Sequence, residues 1–368
     1  MNLTIKLLPF LIFVLLFTGC DDDDNGSQPD LQVPTSYNDF ENVSYDGQTQ
    51  RLAQMTEITA YMKSANTSGV ELDAARLQAM YANAEGAMFA GTYDDSKQLR
   101  SKTLSSVQAD FESYFDNIAL ASTSDVAAAD GVAGVSVSQD GTKQYLLNEN
   151  GVEYTQVIEK GLMGACFYYQ ATAVYMGDER MNVDNEVIEP GEGTEMEHHW
   201  DEAFGYFGVP EAFPVDTDGA VFWGKYCNDR DALLGTNAEL MNALLKGRAA
   251  ITADRLDLRD EAIDEARNAW ERVVAGTAVH YLNSTMSNWD DFALRAHAQS
   301  EAVAFIYSLK FNEDKTLTNA QVDDYLERVG GSTDFNEMDF YEIDREVIEA
   351  VRDEMGAAFN FGSATTEL

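Results

Sequence analysis

Past its first forty residues the chain repeats one signal, apolar side chains three and four positions apart. Leu52, Met55, Ile58 and Met62 follow it, and so do Leu104, Val107, Phe111, Phe115 and Ile118. This spacing gathers each set on one face of an α-helix and does not suit a strand, whose faces alternate. The same texture runs from Thr236 almost to the C-terminus, and the whole pattern predicts roughly nine helices. Residues 125–151 differ. They are rich in Gly, Ala and Ser, with short alternation on either side of Asp140-Gly141, and predict a small hairpin or loop insertion. Residues 161–176 are apolar but short, and their Gly, Gln and Thr suit a buried helix. Thr236 or Asn237, Ser287 or Asn288, and Asn319 are expected helix caps, and Gly330-Gly331 an expected stop. At 368 residues and 45% hydrophobic composition, the chain can bury a sizeable core. The expectation is an all-α protein of two helical bundles, residues 38–215 and 216–368.

The N-terminus carries a different kind of signal. "MNLTIKLLPFLIFVLLFTGC" has one early Lys6, an apolar run from Leu7 to Phe17, and then Gly19-Cys20. A basic start before an apolar stretch of this length reads as a secretory signal peptide over residues 1–19. Gly19-Cys20 resembles the processing site of bacterial lipoproteins, which implies lipidation of Cys20 and a membrane partner reached through the lipid. "DDDDNGSQPD" follows, and residues 20–37 read as an acidic disordered tether. An acidic run in this place resembles the export signal of Bacteroidetes-type surface lipoproteins. The implied location is the outer membrane, surface-exposed or facing the periplasm. In such an oxidising envelope Cys166 and Cys227 could pair, and a buried free Cys166 suits the sequence equally.

Net charge is −40, from 64 acidic and 24 basic residues. That balance excludes nucleic acid as a partner, because phosphate binding needs clustered Lys and Arg. The acids read first as solvated surface and second as an attraction for cations.

Only four histidines occur, and three fall in two similar segments. "HHWDEAFGYF" (198–207) and "HAQSEAVAFI" (297–306) both read His-x-x-x-Glu-Ala, followed by an aromatic four residues after the Glu. Upstream, Glu159, Gly164 and Tyr169 can be set against Glu271, Gly276 and Tyr281. Order and residue type agree twice, as a duplicated bundle would make them. His and Glu three or four apart share a helix face and can offer a nitrogen and an oxygen to one metal ion. Two such helices could supply four ligands, His199, Glu202, His297 and Glu301. His198 and Asp201 would orient these or serve as alternative ligands. The bland alternative is a His–Glu hydrogen bond at a packing seam. No His-Glu-x-x-His, Gly-x-Ser-x-Gly or glycine-rich phosphate loop occurs. Asp216-Thr217-Asp218-Gly219 begins like a calcium loop, but Cys227 stands where its last ligand, a Glu, belongs.

"YDDSKQLRSKT", "EYTQVIEKGLMGACFYYQ", "HHWDEAFGYFGVP", "YCNDRDALLGTNAELMNALLKGRAAI" and "AHAQSEAVAFIYSLKFN" occur in this order. Together they resemble an uncharacterised family of Bacteroidetes-type envelope lipoproteins, over about residues 35–360. More distantly the chain resembles the imelysin-like proteins, all-α two-bundle envelope proteins tied to iron uptake, some called metallopeptidases. Their Gly-x-His-x-x-Glu hallmark is matched by His199-Trp200-Asp201-Glu202, with Glu197 in the glycine's place. That spacing points to His199 as the ligand, whereas the internal repeat points to His198. The resemblance implies a duplicated imelysin-like arrangement. The functional expectation is a lipid-anchored protein that binds a metal ion or chelate, iron or another divalent or trivalent metal, alongside an envelope transporter. Two alternatives stand beside it: a metallopeptidase with Glu202 as general base, and a structural or partner-binding lipoprotein with no small ligand.

Overall fold

The computed structural model describes residues 30–368, so the signal peptide, Cys20 and most of the expected tether lie outside the described residues. The described chain is all-α with one small hairpin, as the periodicity predicts. The helices are α1 (Asp46–Ser64), α2 (Ala74–Ala82) and α3 (Gln108–Ser122), then α4 (Tyr154–Leu162), α5 (Asp178–Met181) and α6 (Glu195–Phe207). The second half holds α7 (Phe222–Leu234), α8 (Thr236–Thr252), α9 (Leu256–Ser287), α10 (Phe292–Ser308), α11 (Asn319–Gly330) and α12 (Arg345–Ala358). Strands β1 (Gly134–Val137) and β2 (Gln144–Leu147) lie between α3 and α4. They pair antiparallel, with Gly134 opposite Leu147 and Val137 opposite Gln144.

The 32-residue α9 is the axis of the second half and packs against α7, α8, α10 and α12. α10 in turn packs on α4, across the boundary expected at 215/216. Residues Gln32–Leu368 form one compact unit. Its core holds Trp200, Trp223 and Trp270, all without solvent contact. Among the described residues no helix is long and apolar enough to cross a membrane.

α4 does not stop at Leu162. It runs on through wide π-helical turns over Met163–Tyr168 and Gln170–Tyr175, so one buried rod extends from Tyr154 to Tyr175. Such i→i+5 turns are rare and concentrate at functional places. Chain ends follow cap chemistry, often a residue or more from the expected position. α11 is capped by Thr318, whose hydroxyl and Gln321 form a reciprocal box, rather than by Asn319. α10 is capped by Asp291 rather than Ser287 or Asn288, and α8 follows a left-handed Gly235. Gly331, at φ 84°, ends α11 where a stop was expected. Cys166 and Cys227 are both free and buried, and burial pushes the Cys166 thiol up to about 12.

Candidate functional site

α6 starts where Thr194 and Glu197 form a capping box and ends at Gly208, which takes the left-handed conformation a side chain would resist. One of its faces goes inward. Trp200 donates to the Leu244 carbonyl at 3.0 Å, and its ring lies so near Gly247 that a Cβ there would come within 2.0 Å of it. Asp201 belongs to this face. It accepts from the Tyr37 hydroxyl at 2.7 Å and from Arg248 at 2.9 Å, and Arg248 also pairs with Glu197. Burial raises the Asp201 carboxyl to about 6 against the pull of Arg248. Asp201 is thus fixed under a buried arginine and does not orient His199.

The other edge of α6 carries the His–Glu pair. His199 is buried, with Nδ1 at 3.4 Å from Glu202 and Nε2 at 3.4 Å from the Arg180 guanidinium. Glu202 accepts from Gln48 of α1 at 2.9 Å and from the Tyr175 hydroxyl at 3.0 Å. Burial favours the protonated carboxyl, but His199, Gln48, His198 and Tyr175 outweigh it and hold Glu202 down at about 2. His198 is half-buried beside Glu192 and Glu202, at 3.9 Å from each.

The second pair stands elsewhere. His297 and Glu301, one turn apart on α10, both line a cleft of about 680 Å³ walled by α1, α4, α7, α10 and β2. The His297 ring stacks on Tyr145 at 4.2 Å between centroids, and its Nδ1 meets the fully buried Glu153 at 2.6 Å. Burial would lower His297, but Glu153 beside it holds its pKa raised. Lys160 reaches in from α4, 3.0 Å from Glu159 and 3.7 Å from Glu301. Burial works against its charge too, and these two carboxylates more than offset it.

The structure therefore does not join the two pairs. No hydrogen bond or ion pair links His199 or Glu202 to His297 or Glu301. The reason is the rod. α10 packs on α4, while α6 packs on its π-helical extension, so each pair meets the rod instead of the other pair. Among the described residues no three of His, Cys, Asp and Glu are grouped so that they could hold a metal ion. Each of the four expected ligands already has a protein partner, and the Lys160 ammonium occupies the place beside Glu301 that a cation would take.

The cleft also contains a group the sequence reading passed over, Gln156, beside the expected Glu301. They are 2% and 5% exposed, yet Gln156 Oε1 and Glu301 Oε2 have no hydrogen-bond partner. Buried polar atoms are nearly always satisfied, so two orphan acceptors on one cleft wall are unusual. A signal for this site was present, because Glu159-Lys160 interrupts the otherwise apolar run from Val157 to Tyr169. An acid and a base side by side within such a run mark a buried ion pair.

No curated protein and no solved structure matches the chain. A family model does match, the Domain of unknown function (DUF4856), over residues 35–362, and the chain belongs to that family.

Proposed function

We propose that this chain is a solute-binding protein of the cell envelope, held to a membrane through Cys20, and that the α1–α4–α10 cleft is its binding site. One observation carries the reading: Gln156 and Glu301, each with a buried orphan oxygen, line a cleft whose size falls within the roughly 300–1,000 Å³ usual for small-ligand sites. A buried acceptor without a donor is costly, by about 1–3 kcal/mol, and a bound solute that donates hydrogen bonds removes that cost. The apolar run closing on Gly19-Cys20 supports the anchoring, and the acid excess of the chain argues against a nucleic-acid partner.

A metal ion or chelate bound by His199, Glu202, His297 and Glu301 is favoured less. Those groups lie in two separate places, and arginine or lysine stands beside each pair. Peptidase chemistry on the same residues is weaker still, because a catalytic metal needs an open coordination position and a separate acid to activate water.

Native mass spectrometry of the purified chain, after incubation with a bacterial small-molecule extract, tests the proposal. The expected result is a solute retained by the wild type and lost in Ala60→Trp, which fills the cleft from its exposed edge. Equal retention by both, or none by either, sinks it. Zn²⁺ or Fe³⁺ added alone should bind no better to wild type than to His199→Ala or His297→Ala; a clear loss in both variants would return the metal reading to first place.

A further inference from the structure

The charges along the cleft are sorted by depth. Its three carboxylates, Glu153, Glu159 and Glu301, are all buried. Three lysines that line it, Lys63, Lys143 and Lys225, are all exposed. In a chain with 64 acids and 24 bases, a cleft with no exposed acid and three exposed lysines is a departure from the average surface. Lys143 makes no ion pair among the described residues, whereas Lys63 approaches Glu159 at 3.8 Å and Lys225 binds Asp229 at 2.6 Å.

Deeper in, the carboxylates are unequally matched. Glu159 is shared by Lys63 and Lys160 and Glu153 meets His297, whereas Glu301 has only Lys160, 3.7 Å away and already bound to Glu159. The acceptors without a hydrogen-bond partner at this depth include Glu301 Oε2 and Gln156 Oε1, and the buried Thr59 hydroxyl, also without a partner, can donate or accept. Tyr226 and Phe222 form an apolar wall of the cleft.

We propose, on the reading of this cleft as a solute site, that its ligand is a small organic zwitterion. The ammonium enters first, donating to Glu301 and Gln156, and the anionic group stays at the mouth among the lysines. An apolar middle lies along Tyr226 and Phe222. An inward carboxylate or phosphate meets Glu301 and is repelled. A neutral sugar satisfies the two acceptors but leaves the weakly matched Glu301 charge and the lysines unanswered. Both an amino acid and a phosphorylated amine have the required chemistry.

Calorimetric titration of the purified chain separates these cases. The probes are the common amino acids and O-phosphoethanolamine, each beside its N-acetyl form and the amine without its acid group, with glucose as the neutral control. At least one zwitterion is expected to bind tenfold or more tightly than either truncated form. Carboxylate or phosphate as the outer group is decided by which of the two classes binds. Glu301→Gln should remove most of the preference over the N-acetyl form, and Lys143→Ala should reduce the preference over the bare amine about threefold; melting curves of both variants check that they are folded. The zwitterion is overturned if none of these probes binds, or if an N-acetyl form or glucose binds as tightly. In that event a solute still retained in native mass spectrometry and lost in Ala60→Trp leaves the cleft reading standing, and its absence removes both.

Discussion

Glu202 is the clearest single case of a side chain whose environment sets its charge. Its carboxyl is held at about 2, so the proton leaves far more readily in the folded chain than in the unfolded one. The resulting stabilisation is complete above about pH 4.5 and disappears as pH falls toward 2. At most it amounts to about 3 kcal/mol, and to about 2 kcal/mol once residual solvent screening is allowed for. Urea unfolding of wild type and Glu202→Gln between pH 2 and 6 should therefore give curves that separate with rising pH. Parallel curves would show that the Gln48, Tyr175 and His199 contacts do not shift this proton. The pairing of His199 with Glu202 was legible in the sequence, since three residues along a helix make neighbours. The partners were not. Gln48 lies 154 positions from Glu202 and Glu153 lies 144 from His297, and local spacing carries no information about which helix faces meet. Asp201 shows the same limit, because its position next to Glu202 turns it about a quarter-circle away and under Arg248.

Helices were the most readable feature, because an apolar stripe every three or four residues survives many substitutions. Their ends were less readable. A cap depends on which of several neighbouring polar residues reaches a free amide, and Thr318 and Asp291 took positions assigned to Asn319 and to Ser287 or Asn288. The start of α6 rests on the Thr194–Glu197 box, with Thr194 also donating to Asn185 at 2.8 Å. Thr194→Ala should cost about 1–2 kcal/mol in urea unfolding. A change below about 0.3 kcal/mol would mean that packing of Trp200 alone fixes this helix. The π-helical extension of α4 had no legible sign; residues 161–176 read correctly as buried helix, and the wider turns lie where the rod packs against α6 and α10. The internal repeat also looks different at this scale. His198 is half-buried near two acids, while its counterpart His297 is locked to Glu153 and stacked on Tyr145, so similar strings occupy dissimilar surroundings.

For the molecule as a whole, −40 charges on one body mean mutual repulsion. Screening shortens from about 30 Å at 10 mM salt to about 8 Å at physiological strength. Thermal melting should therefore move up by about 2–4 °C between 10 and 150 mM NaCl, as about 1 kcal/mol of relieved repulsion gives in a large domain. A midpoint that stays constant or falls would show that the ion pairs, themselves weakened by salt, outweigh the excess.

The rod from Tyr154 to Tyr175 brings Glu159 and Lys160 to one centre and Tyr175 to the other, with its phase set by the wide turns between them. Losing or gaining one residue there would rotate one set of side chains relative to the other and break both places at once. Homologous chains should thus keep one length through this segment, and confine their insertions and deletions to spans such as the exposed loop at 186–192.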